Sequence, residues 1–307
     1  MIIAYISHPD CMLHEMGDSH PEQPARLNAI SDRLISSGLE TALQHYDAPQ
    51  ASRDQLLRVH DMKHIEALYA AAPQQDLIWL DGDTAMNPHT LGAALRAAGS
   101  ACLAVDLLLE NNLQRAFCAV RPPGHHAERH RAMGFCFFNN IAVGAAHALE
   151  YHGLKRVAIV DFDVHHGNGT ENIFAGDERV LFCSTYQHPF YPDIGRVGQH
   201  ANVIRCPLAA GSDGDAFRHA VQEHWLPALE QFKPELVMIS AGFDGHAEDD
   251  LANLRLRESD YQWITAELCR VADAHAQRRI ISCLEGGYNL DALPNSVVAH
   301  LKALMQD

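Results

Sequence analysis

Apolar positions along the chain fall into short continuous runs, separated by longer stretches in which they recur every three or four residues. The runs cover 2–7, 43–47, 115–120, 157–161, 180–185, 202–206, 236–240 and 280–284. Each is too short for a stable helix, and all but the more polar 43–47, read as a short second strand, are largely apolar, which predicts strands buried on both faces. The stretches between them predict helices. One begins near Pro24 or Ala25, a second covers 56–71, and a long Ala- and Leu-rich one opens at Asn87-Pro88. Four more cover 140–152, 215–232, 259–277 and 291–305. Asn87 is placed to cap its helix and Pro88 to occupy the first turn. Strands of this kind alternating with helices predict one α/β domain over 1–307, an eight-stranded mostly parallel sheet with helices on both faces. Ligand sites in such sheets lie outside the strands' carboxyl ends.

Composition narrows the partners more than the fold. Hydrophobic residues make up 47% and charged residues 20% of the 307, an ordinary globular balance. No apolar run approaches the roughly 20 residues of a membrane helix, so no membrane role is expected. The net charge of −16 argues against a nucleic-acid partner and favours a cationic or neutral one. Eight scattered cysteines without a CxxC pair fit reduced thiols and a cytoplasmic location. Nothing in the chain names a partner protein.

The candidate chemistry clusters where strands end. VAIVDFDVHHGNGT (157–170) leaves a strand with Asp161, Asp163 and His165 at alternate positions, so an extended chain points them the same way. Carboxylate and imidazole ligands converging there suit a divalent metal such as zinc, although an Asp/His/Gly turn reads the same in isolation. RPPGHHA (121–127) presents His125 and His126 side by side, two exposed turn residues or an acid–base pair near neutral pH. In GFCFFNN (134–140), Gly134 and Phe135 head a loop that can line a pocket, while Phe137 and Phe138 read as core. SAGFDGH (240–246) offers Asp244, a cap residue or a third metal ligand. Three protein ligands leave a coordination position open, as catalysis requires. In LEGGYNL (284–290), Gly286 and Gly287 let the backbone bend and bring Tyr288 to the same rim, where a phenol can donate to a developing oxyanion.

Together with HPEQPAR (20–26), these motifs resemble, in order and over nearly the whole chain, the zinc-dependent histone deacetylase family. The resemblance implies the arginase–deacetylase fold, with a narrow tunnel leading to the metal. It implies Asp163, His165 and Asp244 as zinc ligands, His125 and His126 as the catalytic pair, and Tyr288 as the phenol that polarises the carbonyl. Phe135 and Tyr191 (in PFYP) then match the tunnel aromatics. Asp161, Ser184 and the backbone carbonyls of Asp163, His165 and Thr185 match a potassium site. The family pattern pairs His125 with Asp161 and His126 with Asn168. A carboxylate favours a charged imidazole and an amide does not, so His126 is expected to be the neutral base and His125 its electrostatic partner.

Asn168 and the LEGGY spelling resemble the class II branch, and the compact length resembles bacterial members. The activity implied is hydrolysis of an N-acyl amide, on acetyl-lysine in proteins or peptides or on an acetylpolyamine. Polyamine deacetylases of that branch carry a glutamate seven residues after the metal-binding aspartate. Here that position is Leu251, which favours lysine, although Glu248, Asp249 and Asp250 precede it. A non-catalytic acyl-lysine binder and an arginase-type manganese hydrolase are the remoter alternatives.

Overall fold

The computed structural model describes residues 1–110, 113–192 and 198–306. The elements run in the order β1 (Ile3–Ser7), α1 (Ala25–Ser36), β2 (Leu43–Asp47), α2 (Arg53–Leu57), α3 (Met62–Ala71), β3 (Ile78–Trp79), β4 (Ala85–Met86) and α4 (Thr90–Glu110). There follow β5 (Arg115–Cys118), α5 (Asn140–Glu150), β6 (Val157–Asp161), α6 (Asn168–Phe174), β7 (Val180–Gln187) and β8 (Val203–Leu208). The chain closes with α7 (Gly214–Ala220), α8 (Leu226–Phe232), β9 (Leu236–Ala241), α9 (Glu258–His275), β10 (Ile280–Leu284) and α10 (Ala292–Leu304).

Eight strands form one sheet in the order β2-β1-β5-β10-β9-β6-β7-β8, and every pairing in it is parallel. All eight strands expected from the apolar runs are present. β3 and β4 form a separate antiparallel hairpin that the two-residue runs were too short to reveal. Helices α4 and α5 pack together against the central strands, while α1, α10 and α9 pack in a row as a second layer. β6, β9 and β10 are buried along their whole length, which is why their sequences are continuous rather than alternating.

Three helical expectations change, the first being that α4 begins at Thr90 and leaves Pro88 in the turn before it. The stretch 56–71 is not one helix: α2 ends at Leu57 and α3 restarts at Met62. Residues between them bond across the fold instead. His60 Nδ1 meets the Glu128 carbonyl, its Nε2 accepts the Asn139 N–H, and Asp61 N–H donates to the Arg129 carbonyl. The stretch 215–232 is helical but widens into a π turn at Val221–Trp225 between α7 and α8. α4 is long and apolar enough to cross a membrane, yet most of it is buried inside the fold, so it reads as a core helix.

Candidate metal centre and acid–base site

Five strands that neighbour one another in the sheet, β5, β10, β9, β6 and β7, build the site from the loops at their carboxyl ends. β6 ends at Asp161, and the next residues turn so that Asp163 and His165 face Asp244 from the loop after β9. His165 Nδ1 lies 3.0 Å from Asp163 Oδ1 and 3.1 Å from Asp244 Oδ2. Backbone N–H groups hold the carboxylates. Gly286 N–H donates to Asp163 Oδ2, His165 N–H to Asp163 Oδ1 and Val164 N–H to Asp244 Oδ1. One donor atom from each of the three residues lies within 4.8 Å of the others.

Charge makes the same point as geometry. Burial foremost, and then the Asp163 charge, pushes the Asp244 carboxyl up to about 7. His165 is driven the other way: burial opposes its charge, but the two carboxylates raise it to about 9. A divalent cation would relieve the repulsion between the two carboxylates, so two oxygens and one imidazole nitrogen fit a metal with an open position. Gly286 is required here, because a Cβ would run into the carboxylates of both Asp163 and Asp244.

A second group, Asp106 with His147 and His152, also converges at the α4–α5 contact. It reads as an ion network. Arg58 donates to His147 Nδ1 at 2.7 Å, which leaves the proton on the Nε2 facing Asp106. A metal-bound histidine needs the reverse, with its second nitrogen turned towards an acceptor.

His125 and His126 lie beside the triad with ring centroids 4.0 Å apart. Their Nδ1 atoms face different partners: Asp161 Oδ2 at 2.9 Å for His125, Asn168 Oδ1 at 2.8 Å for His126. For His125, burial is the largest influence and disfavours the cation, but Asp163 and Asp161 overcome it and hold the ring well above its usual range. For His126, burial and then the positive charges of His125 and His165 hold the ring well below that range. One buried pair therefore contains a charged and a neutral imidazole. The first amides of α6 close the arrangement, since Gly169 N–H and Thr170 N–H donate to the His125 carbonyl.

Tyr288 completes the rim. Its ring stands at 89° to Phe135 with centroids 6.0 Å apart, and the Arg26 guanidinium lies 4.9 Å from its centre. Burial, with Asp244 adding, pushes the phenol well up, so it keeps the proton it would donate. The HPEQPAR motif supports this rim from below. Arg26 donates to the carbonyls of Glu285 and Gly287, and Glu22 accepts from Arg26 and Arg121.

A cavity of about 250 Å³ descends between Asp83, His126, Gly134, Phe135, His165, Tyr191, Leu251 and Tyr288. Gly134 has φ +56, and a Cβ there would come within 2.6 Å of the His126 ring. Leu251 faces the cavity as its count from Asp244 implied. Of the preceding acids, Asp249 is occupied by backbone N–H groups and Glu248 by Arg257, while Asp250 is exposed. Of the residues matched to potassium, Asp161 and Ser184 are register partners on β6 and β7, with Thr185 next in line. The Ser184 hydroxyl also meets His166 Nδ1 at 3.0 Å.

Three contributors have roles that the sequence did not assign, although Glu285 stands inside LEGGYNL and Asp249 among the acids before Leu251. Asp83 comes from the β3–β4 hairpin. Glu285 lies buried against the loop that bears His125, and Asp249 lies against the loop that bears Tyr288.

Comparison with known proteins places the whole chain in one family. Residues 20–304 match the model of the histone deacetylase domain. An uncharacterized protein of Synechocystis sp. is 39% identical over 311 residues, covering 99% of this chain and all of that one. A histone deacetylase-like amidohydrolase of Pseudomonas aeruginosa is 37% identical, covering 93% of this chain and 77% of its own. Among solved structures, the HDA15 HD domain superposes with a TM-score of 0.91 at 32% identity, over 99% of this chain and 90% of that one.

Proposed function

Because the chain belongs to the histone deacetylase family of hydrolases, we propose that it is a zinc-dependent deacetylase acting on the side-chain amide of N-acetyl-lysine in proteins or peptides. The observation that carries the reading is the split histidine pair, one ring on a carboxylate and one on an amide, beside three converging metal ligands.

Asp163, His165 and Asp244 would hold the ion, which supplies Lewis acidity towards the acyl carbonyl and lowers the pKa of water. The remaining work falls to this chain's side chains. His126, neutral and facing the cavity, takes the proton of the attacking water and later delivers it to the leaving amine. His125 keeps its positive charge against Asp161 and steadies the negative charge that develops. Tyr288 donates a hydrogen bond from its phenol to the tetrahedral oxyanion and keeps its proton. The apolar walls, Phe135 and Leu251, suit the methylene stem of a lysine. We further propose that Asp161 and Ser184, with the backbone oxygens of Asp163, His165 and Thr185, hold a structural potassium ion. The buried free thiols fit a reducing compartment such as the cytoplasm.

A second reading, an acetylpolyamine amidohydrolase, is favoured by Asp83. This carboxylate lines the cavity and offers a partner to the second ammonium of a polyamine. The test is a side-by-side measurement of kcat/KM on an acetyl-lysine peptide and on N8-acetylspermidine, with protein loaded with zinc and protein stripped by a chelator. A tenfold preference for the peptide, about 1.4 kcal/mol, supports the first reading, and the reverse preference supports the second. Turnover that survives complete metal removal refutes both, and turnover of neither substrate leaves a binder of acyl-lysine.

A further inference from the structure

Tyr288 sits at the end of a segment with little stiffness of its own. Two glycines precede it, and Gly287 has φ +115, a conformation that restricts the chain little. A phenol that must meet an oxyanion needs its position held to well under an ångström. The structure supplies that constraint from another loop. The Asp249 carboxylate, 5% exposed, accepts the N–H of Tyr288 at 2.6 Å and the N–H of Asn289 at 3.0 Å through Oδ2. Its Oδ1 accepts the N–H of Leu251 at 3.1 Å. Asn289 turns back and donates to the Glu248 carbonyl, which doubles the tie between the two loops.

We propose that Asp249 is a positioning residue for Tyr288. One buried carboxylate fixes the tyrosine's backbone and joins it to the loop that sets the Leu251 wall. This goes beyond the family reading but rests on it, since the consequence for turnover assumes that Tyr288 donates to the reacting carbonyl. Arg26 lies below the ring and bonds the carbonyls of Glu285 and Gly287, so it supports the segment before the tyrosine. Asp249 alone takes the N–H of Tyr288 itself among the bonds described.

The test is a double-mutant cycle on the metal-loaded full chain with an acetyl-lysine peptide, using Asp249→Ala, Tyr288→Phe and the pair. Asp249→Ala should lower kcat by roughly 10- to 100-fold, the cost of a misplacement of about an ångström, with metal content and hydroxamate binding retained. In the Tyr288→Phe background the same change should cost less than about threefold, because the group being positioned is gone. An equal loss in both backgrounds overturns the inference, as does a wild-type kcat. If Asp249→Ala does not fold, Asp249→Asn keeps one acceptor oxygen and should show a smaller loss with the same non-additivity. If Tyr288→Phe itself leaves kcat unchanged, it is the functional reading that fails. The positioning claim is then decided by a crystal structure of Asp249→Asn: a displaced Tyr288 backbone upholds it, and an unmoved one refutes it.

Discussion

Glu285 is a buried acid whose charge the fold tolerates at a cost, and replacing it with glutamine should measure that cost. Its Oε2 accepts the N–H of Gly124 at 2.7 Å and of His125 at 3.1 Å, and its Oε1 accepts the Ser240 hydroxyl at 3.0 Å. Burial is the main influence, and it raises the carboxyl from an ordinary 4.5 to about 7 despite the opposing pull of His125 and the two amides. Between those values the native chain binds a proton that the unfolded chain has shed. The group's contribution to stability is therefore complete below pH 4.5 and lost as pH rises through 7. A shift of about 2.5 units at 1.36 kcal/mol each is worth about 3 kcal/mol. Glutamine is neutral at every pH and can satisfy the same partners, with its oxygen on the two amides and its NH₂ on the Ser240 oxygen. Losing a charge-assisted bond returns about 1 kcal/mol of that gain. Metal-free Glu285→Gln should thus exceed wild type by about 2 kcal/mol at pH 8 in urea unfolding, and the difference should vanish or reverse by pH 5. A variant no more stable than wild type at pH 8, with an unchanged m-value, would refute the reasoning. The same change weakens the field that keeps His125 charged, so the stabler protein should also be the slower one.

Three further outcomes follow from the site. His126→Asn should reduce kcat by about 10²- to 10⁴-fold, the range for a lost general base, with full metal content by elemental analysis; His125→Asn proving the more damaging of the two would reverse the assigned roles. Leu251→Glu should raise kcat/KM for N8-acetylspermidine at least tenfold relative to the peptide, because it adds a carboxylate to a cavity that Asp83 also lines; an unchanged ratio would mean that the gate lies elsewhere. Gly134→Ala places a methyl group against the His126 ring at a left-handed φ, so it should lower kcat/KM by at least tenfold while leaving metal affinity intact, and competitive chelator titration separates the two effects.

How much of this was legible depended on the range over which each residue acts. Strands buried on both faces announce themselves by local composition, so the central ones were readable, as was the site's place at their carboxyl ends, while the edge strands β2 and β8 are part-exposed and carry a weaker signal. The spacing of Asp163 and His165 and the adjacency of His125 and His126 are also local facts. The break at 58–61 was not readable, because His60 and Asp61 leave the helix for partners some 70 residues away. Asp83, Glu285 and Asp249 were missed for the same reason. Each is an acid whose own segment does not disclose its role, which comes only from a backbone or cavity that another loop supplies. Resemblance shortened the path to the metal ligands, but it did not show that Asp249, two residues before Leu251, is already occupied.

The histidine pair shows how a nearly symmetric sequence yields an asymmetric site. His125 and His126 are neighbours in the chain, equally buried, with rings 4.0 Å apart, and nothing intrinsic distinguishes them. Two cations that close in a buried site would be costly, so protonation of one suppresses protonation of the other. Which one takes the charge is decided by the atoms opposite Nδ1. Asp161 faces His125 with a carboxylate that β6 fixes in place, whereas Asn168 faces His126 with an amide oxygen while its own NH₂ donates to Glu128 at 2.8 Å. That last bond orients the amide, since reversing it would set NH₂ against an imidazole nitrogen that is itself the ring's donor and strip Glu128 of a partner. His126 is thereby left with Nδ1 protonated and Nε2 free to accept. A base for the attacking water requires that tautomer, and the protein obtains it from a neutral residue on the first turn of a seven-residue helix.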